Sequence, residues 1–339
     1  MKHSRSSTLI VEAPARLHLG FVDLNGGLGR RFGSVGLAID GVSTQLAATC
    51  AERNIASGAD AQRALAMADR IVEELGIDGG VDLQVVQAIP PHSGLGSGTQ
   101  LGLAVGTAIS RLYRRELSPY RIAEVLNRGE RSGIGIAAFE QGGFIVDGGH
   151  RPGGGPPVVT SRLAFPSHWR VLLIFDEAQI GMHGVPEKDA FLRLPVFPEQ
   201  SAANLCRLLT MQLLPGLAEQ RLDDFASAVT QLQNVVGDHF APAQGGRYAS
   251  ESVTEVLKHL LARGHIGVGQ SSWGPTGFVL IEGAAKATRL QKEMQERFAN
   301  RSLRFQVVSG RNDGVAMKTV RALEQASFAQ PFGQAVTPN

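Results

Sequence analysis

Val81–Tyr113 reads VDLQVVQAIPPHSGLGSGTQLGLAVGTAISRLY, a strand, a glycine-rich bend and a helix. Val81, Leu83 and Val85 alternate with Asp82 and Gln84, the period of two expected of a strand with one buried face. Leu101, Val105, Ala108, Ile109 and Leu112 then recur on one face of a helix. Between them Pro90 and Pro91 end the strand, and Gly94, Gly96 and Gly98 permit turns that side chains forbid. Ser97 or Thr99 is expected to cap the helix. Free amides and the positive end of the helix dipole then converge, which makes a site for phosphate. A plain glycine-rich turn is the alternative.

Two familiar phosphate loops do not fit. A Walker loop ends in Gly-Lys-Ser/Thr, whereas Gly98 is followed by Thr99 and Gln100. A dinucleotide loop places its third glycine three residues after the second, and Thr99 holds that position. Glu116 lies at about the ~20-residue distance of a ribose-binding acid, so this reading is weakened rather than removed.

Pro91-His-Ser-Gly-Leu-Gly-Ser-Gly-Thr99 closely resembles the second motif of the GHMP kinase superfamily. Ala13-Pro-Ala-Arg-Leu-His-Leu-Gly20 resembles its first motif, and Gly269-Gln-Ser-Ser-Trp-Gly-Pro-Thr-Gly277 sits where a third occurs. The three motifs, in order, cover most of the chain. The resemblance implies an α+β, GHMP-kinase-like two-domain fold. Its N-terminal domain would be ribosomal protein S5-like, and its C-terminal domain a ferredoxin-like α/β layer domain.

Departures from the kinase pattern narrow the reading. Those kinases usually carry Gly-Leu-Gly-Ser-Ser-Ala, and the second serine, a metal ligand, is here Gly98. Their catalytic acid shortly follows Ser-Gly. In Ser132-Gly-Ile-Gly-Ile-Ala-Ala-Phe-Glu-Gln-Gly-Gly143 the corresponding position is Gly135, and Glu140 lies a few residues on. Without that carboxylate, attack on a γ-phosphate lacks its usual agent. A non-kinase branch, the β-ribofuranosylaminobenzene 5′-phosphate synthases of methanopterin biosynthesis, resembles the chain more closely. The shared stretches are Ala13–Gly20, Gly29-Arg-Arg-Phe-Gly33, Ser132–Gly143 and Gln270-Ser-Ser-Trp-Gly-Pro-Thr276. This resemblance implies that phosphoribosyl pyrophosphate reacts with 4-aminobenzoate or 4-hydroxybenzoate. The products would be a C-riboside 5′-phosphate, carbon dioxide and pyrophosphate, with Mg²⁺ as cofactor.

Composition fits a cytoplasmic enzyme of small molecules. The 339 residues are enough for two domains, and a formal charge of +2 gives no general field for nucleic acid. Only Cys50 and Cys206 occur, without zinc spacing or a disulfide framework. MKHSRSSTLIVEAPA has an apolar core of only Leu9-Ile10-Val11, too short for a signal peptide, and no apolar run suits a membrane. A homodimer is compatible with the sequence, which does not fix the oligomeric state.

Strands are expected at Leu9–Ala13, Val35–Ile39, Trp169–Phe175, Gly277–Glu282 and Leu303–Val308. Helices are expected at Ala64–Leu75, from Ser118-Pro119 onward, and at Lys286–Phe298. Gly148–Pro157 is the most breaker-rich stretch, and the division is expected near residue 165. That gives an N-terminal phosphate-binding domain (1–165), a C-terminal domain (166–327) and a disordered tail (328–339).

The resemblance and the residue types together nominate a site. Loop contacts to the diphosphate are expected from Pro91, Ser93, Gly94, Leu95, Gly96, Ser97, Gly98 and Thr99. Arg30 and Arg31, among glycines, suit the ribose phosphate or a carboxylate, although a solvated turn is the plain alternative. Arg16 and His18 alternate with Leu17 and Leu19 on one strand, so both are expected to face the cleft as catalytic groups. Asp23 is expected as a Mg²⁺ ligand or sugar-hydroxyl acceptor, with Ser97 as a second metal ligand. Gln270, Ser271, Ser272, Trp273 and Thr276 form a polar turn in which Trp273 stacks on the benzoate or simply fills the core. His183, beside Glu187 and Lys188, is a weaker candidate. The competing functions are an ATP-dependent small-molecule kinase, which the missing acid at Gly135 argues against, and a silent binding protein.

Overall fold

The computed structural model describes residues 7–179, 181 and 193–321. The expected tail at 328–339 and the candidates His183, Glu187 and Lys188 lie outside the described residues.

Two long strands organise the first half. β1 (Ser7–Asp23) and β2 (Phe32–Ala51) form an antiparallel hairpin, so the short strands expected at Leu9–Ala13 and Val35–Ile39 are sections of it. Its register shifts between Pro14 and Ala15 and again between His18 and Gly20. Bulges of this kind absorb a residue that would otherwise break the ladder and turn the strand as they do so. Leu9, Val11 and Ala13 thus enter one core, while Ala15, Leu17 and Leu19 enter another.

β2 pairs along its second half with β4 (Gly80–Gln87) and along its first with β5 (Phe144–Asp147). β3 (Ile55–Gly58) lies parallel to β4, and β6 (Val159–Leu163) lies antiparallel to β5. Helices α1 (Ala61–Glu74), α2 (Ser97–Leu112) and α3 (Pro119–Val125) pack through Ala64, Ala68, Ile71, Leu101, Val105 and Ile122 against Val11, Leu46 and Leu83. Ser118 caps α3 as expected, its hydroxyl accepting the Arg121 N–H at 3.1 Å. A short α4 (Ile134–Glu140) completes this half.

The second sheet is antiparallel. Its order is β10 (Leu303–Val308), β7 (Trp169–Asp176), β9 (Gly277–Glu282), β8 (Val268–Gln270). One face carries Leu172 and Ile174 against α8 (Glu251–Ala262) and α9 (Ala284–Arg297). The other carries Trp169, Val171 and Leu173 against α7 (Leu222–Gln244), whose Phe225, Val229 and Leu232 also meet Leu17 and Leu19 of β1 in one continuous core. Before α7, α5 (Glu199–Leu208) runs through a π-helical turn into α6 (Leu214–Ala218).

The expected α+β arrangement of two layered units is therefore present, and residue 165 falls between β6 and β7. One strand crosses back. β11 (Ala316–Arg321) leaves the second unit and pairs with Ser7–Glu12 of β1 in the first sheet. Among the described residues, no helix is long and apolar enough to cross a membrane.

Candidate active site

The three motif stretches meet at one atom, the carbonyl oxygen of Gly94. Arg16 Nη1 donates to it at 2.5 Å and Ser271 Oγ at 2.8 Å. Ser271 Oγ also accepts the His18 N–H at 3.0 Å, and the Ser272 N–H donates to the His18 carbonyl at 3.2 Å. Bare backbone is required for this approach. A Cβ on Gly94 would lie 2.1 Å from the Ser271 carbonyl oxygen, and one on Gly274 2.2 Å from the Gly94 nitrogen. His92 and Ser272, one in each loop, take left-handed backbone at φ 56° and 55° without being glycine, which fixed surroundings must impose.

The phosphate loop differs from expectation in one respect. Neither Ser97 nor Thr99 caps α2; the capping residue is Gly96, at φ 86°, and no side chain bonds the first turn. Glycine turns the chain into the helix without occupying its amides, which leaves them directed at whatever anion arrives. Ser93 turns its hydroxyl to the Pro90 carbonyl at 2.7 Å, and Leu95 is buried in the core beneath the loop. Thr99 faces Gly135, where a Cβ would lie 3.0 Å from Thr99 Cγ2. Gln100 is fully buried and donates to the Gly135 carbonyl at 2.7 Å, tying α2 to α4.

Beside the loop lies an aromatic cavity, lined by His18, Phe21, Phe240 and Trp273, with Gln244, Arg247 and Gln270. The Trp273 and Phe240 rings are 4.6 Å apart and those of His18 and Phe21 4.7 Å, both edge-on or tilted. Burial, and then the charge of Arg16, push the His18 pKa down to about 3, although a bond to its own backbone opposes the shift. His18 is therefore a neutral imidazole at physiological pH. Only Nδ1 can reach that backbone, so Nε2 is left as the free acceptor, and it is buried without a protein partner. Arg247 is already held by both Asp238 oxygens, at 2.7 and 2.9 Å, and by Asn234. Gln233 of α7 fixes the cavity floor. Its Nε2 donates to the carbonyls of Leu19 and Gln270, and its Oε1 accepts the Gln270 N–H at 2.9 Å. Gln270 Oε1 accepts the Ala249 N–H, and the Thr276 hydroxyl is buried without a partner.

Asp23, Arg30 and Arg31 sit at the far end of the hairpin. Asp23 is seven residues along β1 from Arg16, roughly 20 Å at ~3.3 Å per residue. Its Oδ1 accepts the N–H groups of Asn25 and Gly26, closing the turn. Asp23 and Ser97 are thus not brought together, and no group of three or more His, Cys, Asp or Glu suited to a metal occurs among the described residues. Arg30 Nε donates to the Gly148 carbonyl and Arg31 Nε to that of Leu24. Arg31 also lies over Phe32, which touches Phe21 of the aromatic cavity, whereas Arg30 is turned to Gly148.

Three residues outside the motifs matter here. Asp147 is buried and accepts the N–H groups of Ser34, Gly133 and Gly149, which holds the start of α4 in place. Burial raises its pKa against those bonds. Arg63 and Arg128 reach the first turn of α2 at Gly98. A lone arginine on a helix or in a turn ordinarily reads as solvated, so neither carried a signal in the sequence.

Residues 62–143 match the GHMP kinases N terminal domain and residues 213–300 the GHMP kinases C terminal domain. The chain is 35% identical over 298 residues to β-ribofuranosylphenol 5′-phosphate synthase of Methanocaldococcus jannaschii, covering 79% of this chain and 88% of that one. It is 32% identical over 326 residues to the protein of the same name from Archaeoglobus fulgidus, covering 91% and 99%. The crystal structure of homoserine kinase from Cytophaga hutchinsonii superposes with a TM-score of 0.63 at 20% identity, covering 92% of this chain and 97% of that one, a likeness of fold.

Proposed function

Because the chain belongs to the β-ribofuranosylphenol 5′-phosphate synthase family of the GHMP fold, we propose that it joins phosphoribosyl pyrophosphate to a 4-substituted benzoate with loss of carbon dioxide, an early step of methanopterin biosynthesis in one-carbon metabolism. The observation that carries this reading is that one strand serves both the phosphate loop and the aromatic cavity. Arg16 and His18, two residues apart on β1, bind respectively to the phosphate loop and into the aromatic cavity.

The chemistry then needs no general base at Gly135. The C1–O bond to the diphosphate breaks, and its electron pair leaves on the diphosphate oxygen. The ring carbon bearing the carboxylate supplies the pair for the new C–C bond. Heterolysis of the ring–carboxylate bond then releases CO₂ and returns a pair to the ring. An electron-releasing group para to that carbon drives the attack. The His18 Nε2, neutral and without a protein partner, suits the hydrogen of a para-hydroxyl. The ring would lie among Phe21, Phe240 and Trp273, where offset and edge contacts favour an aromatic guest. The one charged lining residue, Arg247, is already neutralised by Asp238, so a carboxylate in this cavity is poorly compensated and its loss as neutral CO₂ is favoured. The relatives' name specifies a phenol, which supports 4-hydroxybenzoate over 4-aminobenzoate.

The donor set does not fit a protein-held Mg²⁺, since Asp23 and Ser97 are far apart. When bound on the diphosphate, Mg²⁺ supplies neutralisation of charge, which asks no dedicated carboxylate of the chain. The test is release of labelled CO₂ from each benzoate with phosphoribosyl pyrophosphate present. Release from 4-hydroxybenzoate, faster than from 4-aminobenzoate and matched by pyrophosphate, is expected. No release from either compound overturns the reading.

A further inference from the structure

Gly98 stands in the first turn of α2 with a guanidinium close on two sides. A Cβ there would lie 2.8 Å from Arg63 Nη2 and 3.2 Å from Arg128 Nη1. Arg63 comes from the start of α1 and Arg128 from the turn after α3, so two separate elements bring cations to one point. A third, Arg70, adds to the field. Burial first, and then the charges of Arg63 and Arg70, push the Arg128 pKa below the ordinary arginine value, with Glu130 opposing. Arg63 is bonded to Asp60 at 2.7 Å, and Arg70 donates to the Val125 carbonyl. Arg128 Nε is buried and has no hydrogen-bond partner in the protein. Like charges packed this way repel, and an anion placed between them relieves the repulsion.

We infer that Arg63 and Arg128 clamp the diphosphate of the ribosyl donor, and the pyrophosphate that leaves it, at the amino end of α2. The inference rests on the phosphoribosyl transfer proposed above. Guanidinium forks present paired N–H donors that match two phosphate oxygens at once. Held in advance beside the free amides of Ser97 and Gly98, they stabilise the electron pair that the departing oxygen gains as the C1–O bond breaks. Glycine at position 98 leaves room for both. A serine there, as in the superfamily's kinases, would occupy the space into which both guanidiniums reach. The chain thus uses fixed cations where those kinases use a metal-ligand hydroxyl.

Calorimetric titration of inorganic pyrophosphate into the full chain, in EDTA, tests the clamp. Arg63→Gln and Arg128→Gln should each weaken binding roughly ten- to a hundredfold, the scale of a lost charge-assisted bond. Gly98→Ser should weaken it by a similar factor while leaving every charge in place. Affinity for 4-hydroxybenzoate should stay within about a factor of two, because that site is separate. Melting curves identify any variant that fails to fold. Arg128→Lys, which keeps the charge and loses the fork, then serves in place of Arg128→Gln and should also bind more weakly than wild type. Wild-type affinity in the folded arginine variants overturns the clamp, as does a wild-type chain that binds no pyrophosphate. Carbon dioxide release is read separately. Its absence in the wild type overturns the proposed reaction, whereas pyrophosphate binding that still depends on the two arginines sustains the clamp.

Discussion

His18 must stay neutral to be buried, and this has a measurable consequence in acid. Its folded pKa is about 3, against 6.5 for the free side chain. Below pH 6.5 the unfolded chain takes up a proton that the folded chain refuses, so stability falls as pH drops through the window from 6.5 to 3 and is flat above it. Between pH 7 and pH 5 the wild type should lose about 2 kcal/mol more than His18→Gln, read from denaturant midpoints. Equal losses would mean that the imidazole is not buried neutral. Trp273 is both cavity wall and core, only 6% exposed and set against Phe240. Trp273→Ala should therefore cost about 3–5 kcal/mol of stability, which hides any effect on ligands. Trp273→Phe is the informative change. It should keep most of the melting temperature and weaken benzoate binding by about 0.5–1.5 kcal/mol, with phosphoribosyl pyrophosphate affinity unaltered. Equal loss for both ligands would put Trp273 in the core alone. Arg16, His18 and Trp273 were legible because strand alternation and motif position mark them. Arg63 and Arg128 were not, because their meeting at Gly98 is made by the packing of α1 and α3 against α2. An aspartate that closes a turn and one that holds a metal look the same in sequence, which is why Asp23 invited the second reading.

At the scale of elements, α2 decides what chemistry is possible. Its amino end is open, carries guanidiniums and faces Gly135, over which Thr99 packs. No carboxylate stands at Gly135 to orient an acceptor hydroxyl toward a γ-phosphate. Transfer of phosphate from labelled ATP to homoserine, mevalonate or a hexose should therefore stay at background. Turnover at an ordinary kinase rate, on the order of 1–100 s⁻¹, would contradict this. β4, α2, β9 and β10 were legible from their periodicity, and α3 from its Ser118 cap. The full length of β1 and β2 was not. β1 carries Pro14 and Gly20, and the ladder shifts register beside each of them before it continues. Short α4 lies in a glycine-rich stretch without periodicity, and its start is fixed by Asp147 from another strand.

The whole molecule is closed by a strand from its far end. β11 covers the edge of β1 from Ser7 to Glu12, and Val320 is buried there. Arg311, on the way to that strand, pairs with Glu12 at 2.9 Å and donates its N–H to the Ala38 carbonyl. A chain truncated before Ala316 should melt lower and aggregate, because an unpaired edge with Leu9 and Val11 is a template for other chains. Amide exchange at Thr8–Glu12 should speed up selectively, and unchanged protection there would mean that β11 contributes nothing. No local pattern announced this pairing, since a six-residue strand says nothing of a partner so distant. The same strand also sets birth order against spatial order. β1 leaves the ribosome before β11, and the neighbour it needs follows roughly 300 residues later. At ~5–20 residues per second, that is a wait of about 15–60 s. Throughout it the nascent chain carries an open sheet edge in the crowd of the translating cell, exposed to other chains until β11 is made.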